Sequence, residues 1–147
     1  MSVYSITYTL HHILILKLLA TFNFERPRTV HNFLFLATIS SSLNERPCMR
    51  YDFYKGSTGV YSFEIQSIIS DLLKNDMILA DRLVPSVEGR EFYYQVGTLL
   101  RYERFPEHCM QVALRYEDNL WRINHEVLFN PLFRKTKTGR KIALPVL

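Results

Sequence analysis

The sequence predicts an α+β fold in a single domain. Three observations point there: apolar helical periodicity three times in the first half, a run of alternating β-type residues after the third helix, and helical patterning again past Gly97. At 147 residues the chain has the common length of one domain, enough to bury a core without metals or disulfides. Hydrophobic residues at 48% and charged residues at 22% exclude a disordered or fibrous chain.

The first helix is expected over residues 10–22, where Ile13, Leu14, Ile15, Leu16, Leu18 and Leu19 cover almost the whole circumference. Such a helix needs cover on every side. In so small a chain a second copy supplies that cover most easily, so Leu14 and Leu18 are expected at a homodimer interface. His11 and His12 lack the i, i+4 spacing of a helical metal site and read as surface or cap residues.

Glu25-Arg26-Pro27-Arg28 is expected to stop this helix, and Thr29 to cap a second over residues 30–41, with Val30, Phe33, Leu34 and Ala37 facing the core. Residues 48–54 alternate as a short extended segment, followed by a turn at 55–59. Ser62 is a good N-cap for a third helix over residues 63–75, in which Ile65, Ile68, Ile69, Leu72 and Leu73 follow the 3.6-residue period. Its outward face carries Phe63, Ser67, Ser70 and Lys74, with Gln66 beside them. Residues 77–84 and 90–96 then read as the arms of a β-hairpin with its turn at 85–89. Further helices are expected after Gly97, with Trp121, Leu128, Phe129 and Phe133 packing this part onto the core.

Helix, helix, extended segment, helix and hairpin is the order of a winged helix, so the expectation is a winged-helix-like domain over residues 1–130 with a mostly helical C-terminal extension. A helix through Arg82 or Phe92 would break that assignment and the DNA reading built on it. Residues 131–147 form a basic tail: Arg134, Lys135, Lys137, Arg140 and Lys141 are uncompensated, and they account for the whole of the net charge of +4.

The longest apolar run falls well short of the roughly 20 residues of a membrane span, and the first ten residues carry no Lys or Arg of a leader. A cytoplasmic protein that does not engage membrane is expected. Cys48 and Cys109 have no CxxC spacing and read as reduced, small core residues. His31, His108 and His125 are widely spaced, the five glycines form no phosphate loop, and no GxSxG or HExxH motif occurs. Adjacent His108 and Cys109 do not face one another on a helix. No catalytic residue, metal or cofactor is expected.

The segment Val30-His31-Asn32-Phe33-Leu34-Phe35-Leu36, the pair Asp52-Phe53-Tyr54 and Gly59-Val60-Tyr61-Ser62, and the helix ending at Asn75-Asp76-Met77-Ile78 carry a resemblance. Over residues 16–78 the chain resembles the phage-associated SocA-like antitoxin superfamily, also called Panacea, and its YwgA-like relatives. Val60 stands where Pro is common in that family. The resemblance implies a helical, winged-helix-related domain in a regulatory or toxin-antitoxin setting, and no enzyme.

Two functions follow as expectations. One is a winged-helix transcriptional regulator on double-stranded DNA, in which Gln66, Ser67, Ser70 and Lys74 read bases while Lys55, Arg82, Arg90 and the tail residues Arg134, Lys135, Lys137, Arg140 and Lys141 hold phosphates. The other is a non-enzymatic protein-interaction module, antitoxin-like or adaptor, contacting its partner through Phe63 and the aromatic surface. Glu64 and Asp71 beside the third helix count against the first.

Overall fold

The computed structural model describes residues 8–41 and 51–144. Among these the chain is mostly helical, with seven α-helices and one small antiparallel sheet. Helix α1, Leu10–Thr21, lies at the centre, packed by α3 (Phe63–Lys74), α4 (Val87–Val96) and the 3-10 turn Gly97–Tyr102. Leu14 and Leu18 are 0% exposed within the single chain. The expected dimer interface through these two side chains is therefore corrected. The all-round apolar helix finds its cover in α4, whose helical nature the sequence reading missed, and in the helical turn that follows it. Each such Leu gains roughly 1.5–3 kcal/mol from leaving water.

Helix α2, Pro27–Ser40, begins one turn earlier than expected. Pro27 starts it rather than ending the previous element, because proline's fixed φ suits the first helical position, where no N–H bond is required. It packs on α3, α5 (Arg104–Leu114), α6 (Ile123–Phe129) and the sheet. The sheet pairs β1 (Tyr54–Lys55) with β2 (Val60–Tyr61), with Tyr54 opposite Tyr61. The turn between them falls at the glycine-flanked stretch expected to be a loop. Ser62 then caps α3 through its Oγ, which accepts the Ile65 N–H at 3.2 Å. Leu73, expected in the core, is exposed.

The long hairpin over residues 77–96 is not formed. Pairing stops at Ile78 with Pro85, and Leu79 N–H donates to the Val84 carbonyl, which makes a tight turn at 79–84. Phe92 lies in α4. Two local causes decide this. Ser86 Oγ accepts the Gly89 N–H at 3.0 Å and so caps a helix. Phe92, Tyr93 and Val96, which suit a strand by type, fall on one helical face and pack against the core. Gly89 sits so close to Met77 that a Cβ there would collide with the Met77 carbonyl.

The basic tail is docked on the fold as far as it is described. After the short helix α7, Pro131–Lys135, Lys141 bridges antiparallel to Tyr54, Gly139 N–H donates to the Lys55 carbonyl and Ile142 N–H to the Phe53 carbonyl. Ile142 and Phe133 are buried. Of the four residues expected to pack this region inward, only Phe133 does; Trp121, Leu128 and Phe129 are exposed. No helix among the described residues is long and apolar enough to cross a membrane.

Candidate functional site

His31 and Asn32 are two polar residues in an otherwise apolar stretch of α2, and both are buried. Each is fully engaged. His31 Nδ1 accepts the Ser62 N–H at 3.0 Å, which leaves the ring proton on Nε2 to donate to Gln66 Oε1 at 3.2 Å. Burial holds the imidazole below its ordinary value, and the Gln66 bond only partly offsets this. Asn32 Oδ1 accepts the Val60 N–H at 2.9 Å, while its Nδ2 donates to Asn124 Oδ1 at 2.8 Å; Asn124 in turn donates to Thr29 Oγ1 at 3.1 Å. This network ties α2 to β2 and α6. Gly59, at φ +151°, lies so close to Asn32 that an added Cβ would stand 2.5 Å from its Oδ1.

The network positions a row of four rings. His31 stacks on Tyr61 with centroids 5.0 Å apart, Tyr61 meets Phe63 edge-on at 4.9 Å, and Phe63 meets Tyr54 edge-on at 5.3 Å. Tyr54 and Tyr61 are cross-strand partners and Phe63 opens α3 directly after β2, so the strand register sets the row. Alternation along the sheet sends Phe53, Val60 and Ile142 into the core and Tyr54, Tyr61 and Lys141 outward. Phe63 is 62% exposed and Tyr61 38%.

Tyr61 also forms one wall of a cleft of about 350 Å³, lined further by Arg28, His31, Asn32, Gln66 and the Gly56–Gly59 turn. Among the described residues no carboxylate lines it. A second cleft, of about 390 Å³ between α1 and α5, mixes Lys17 and Arg101 with Glu103 and Glu107.

The residues expected to hold DNA are not gathered into one surface. Gln66 is turned toward His31. Ser67, Ser70 and Lys74 share the outer side of α3, but Lys74 stands about 17 Å along the helix from Phe63, where the sheet and tail lie. Lys55 sits over the Phe133 ring, 4.4 Å from its centroid. Lys141 pairs with Asp52 at 3.2 Å. Arg82 lies on the 79–84 turn beside Asp81, and Arg90 is on a helix rather than a wing. Arg134, Lys135, Lys137 and Arg140 are exposed on the docked tail.

Other chemistry-bearing groups are tied into the fold. His12, expected at the surface or as a cap, is buried: its Nδ1 accepts the Thr9 N–H at 3.0 Å, so it does serve the helix start, and its Nε2 donates to Asp71 Oδ2 at 2.9 Å. His11 meets the Tyr51 hydroxyl at 2.9 Å. Cys109 is a fully buried core residue whose thiol burial pushes strongly up, and its neighbour His108 meets Ser40 Oγ at 3.0 Å. Cys48 lies outside the described residues. Among the described residues no group of three or more His, Cys, Asp or Glu could hold a metal ion. No family model, curated protein or solved structure matches this chain.

Sequence reasoning found Phe63 and missed the rest of the row. The available signal was the polar pair His31-Asn32 inside an apolar helix, which needs buried partners from elsewhere in the chain.

Proposed function

We propose that this protein is a non-catalytic interaction module, antitoxin-like or adaptor, that binds a protein partner through the ring row of Tyr61, Phe63 and Tyr54. The observation that carries this reading is Phe63, a large apolar ring held outward on a rigid base. Its two neighbours fix it from either side, and the buried His31 and Asn32 fix β2 beneath it. Rigid aromatic anchors of this kind supply most of the energy of protein interfaces at low entropic cost. A partner with an apolar side chain to set against Phe63 fits it.

The order α1, α2, sheet and α3 keeps the first part of a winged-helix order, but Phe92 lies in α4, and a helix there removes the wing on which that assignment depended. For duplex DNA the support is poorer. The long hairpin is replaced by α4, Lys55 and Lys141 are engaged within the chain, and α3 keeps an exposed Glu64 on its first turn.

The test compares capture by the wild-type chain, Phe63→Ala and a control, Tyr94→Ala, whose ring is exposed on α4. A partner retained by wild type and control should be lost with Phe63→Ala. Measured as a purified pair, the loss should be about 2 kcal/mol or more, on the order of 30-fold. Equal affinity for Phe63→Ala would overturn the reading.

A further inference from the structure

We infer that the cleft between α2, the Gly56–Gly59 turn and α3 is a carboxylate-binding pocket, made to receive an acidic side chain of the docked partner. This rests on the protein-binding reading for its source of carboxylate, but the pocket chemistry stands on its own residues.

The lining is rich in hydrogen-bond donors and poor in competing charge. Arg28, on the first turn of α2, is exposed at the mouth. Its guanidinium offers a planar fork that matches the two oxygens of a carboxylate. Gln66 also lines the cleft, and because its Oε1 is held by His31, its amide nitrogen remains available as a donor. Ser57 and Thr58 add hydroxyls from the exposed turn. His31 itself is neutral and committed, so it orients Gln66 and adds no charge. Among the described residues no Asp or Glu lines the cleft to compete.

One guanidinium with neutral donors suits a singly charged, planar carboxylate better than a doubly charged phosphate, which collects several cations. Position adds to the argument, because Tyr61 is at once a wall of this cleft and the ring next to Phe63. The ring spacings of 5.0 and 4.9 Å together reach no further than about three extended residues. A partner segment would then carry Asp or Glu within about three residues of the apolar side chain set on Phe63.

The probe is acetylated, amidated glutamate, followed by amide chemical shifts of the ¹⁵N-labelled chain, with the equivalent blocked glutamine as its uncharged isostere and inorganic phosphate as a third titrant. Blocked glutamate should give saturable shifts at Arg28, Ser57, Thr58, Gly59 and Gln66, and blocked glutamine none. Arg28→Gln, at an exposed position that the fold tolerates, should weaken the glutamate response about tenfold, as loss of a charged hydrogen bond requires. Arg115→Gln, the same charge loss just past the end of α5, should leave it unchanged. Equal shifts with glutamine, tighter binding of phosphate, or an unaltered response in Arg28→Gln would each overturn the proposal. Failure here leaves the Phe63→Ala result untouched, and loss of the Phe63 effect leaves this titration untouched, so the two readings fail separately.

Discussion

The imidazole of His31 lies nearly parallel to the ring of Tyr61, 12° apart with 5.0 Å between centroids. Through this stack a buried residue of α2 sets the position of an exposed residue of β2, and through Tyr61 that of Phe63. The surface read as a contact site is thus an extension of the core.

The burial of His31 also makes stability depend on pH. The fold holds His31 neutral, with Nδ1 occupied by the Ser62 N–H, and burial lowers its affinity for a proton. The unfolded chain takes up that proton near the ordinary value of 6.5. Protonation therefore favours the unfolded state: this contribution is intact above about pH 6.5 and is lost as pH falls from there toward the lowered folded value. His11 and His108, also lowered mainly by burial, act in the same direction. Urea midpoints at pH 7.5 and 5.5 should show a drop for wild type. His31→Asn keeps an acceptor near the Ser62 N–H and does not titrate, so its drop should be smaller; an equal drop would place the effect on other groups.

Asn32→Ala should leave the buried Val60 N–H and the Asn124 Oδ1 without their partner. Each such group costs roughly 1–3 kcal/mol. The urea midpoint should fall accordingly, and the tertiary signals of β2 should broaden or shift. A neutral result would mean that water or a rearranged Asn124 replaces the bond.

The tail separates structure from charge. Ile142→Ala removes a side chain buried beside Phe53 and should cost roughly 2–4 kcal/mol in thermal or urea unfolding. Lys137→Ala, exposed, should stay within about 0.5 kcal/mol of wild type. The opposite order of effects would mean that the tail does not hold its place on β1.

Duplex DNA gives a further discriminating result. If the chain bound it chiefly through the tail, log K would fall with log salt, and each phosphate contact removed among Arg134, Lys135, Lys137, Arg140 and Lys141 would lower the slope by about 0.9. The interaction-module reading expects no salt-dependent binding in anisotropy titrations at low ionic strength.

Local signals made much of this fold legible. The period of Ile65, Ile68, Ile69 and Leu72 and the Ser62 cap placed α3, and the apolar run placed α1 to within a residue. What failed were choices that neighbours decide. Pro27 serves equally to end one helix or begin the next. Phe92, Tyr93 and Tyr94 favour strands by type, yet Ser86 and a helical apolar face turned the segment into α4, and that helix covers the side of α1 left for a second copy. The bridge from Lys141 to Tyr54 joins residues too far apart along the chain for any local pattern to reveal. The site was half visible for the same reason: Phe63 follows from helical phase, whereas the His31 to Tyr61 stack and the Gln66 contact exist only once α2, β2 and α3 are packed.

Amide hydrogen exchange of the chain with and without its purified partner tests the central claim most directly. Protection on binding should concentrate in residues 54–66, across Tyr54, Tyr61, Phe63 and Gln66, and should vanish in Phe63→Ala at the same concentrations. Protection confined instead to the outer side of α3 at Ser70 and Lys74, or to α4, with residues 54–66 exchanging as in the free chain, would contradict it.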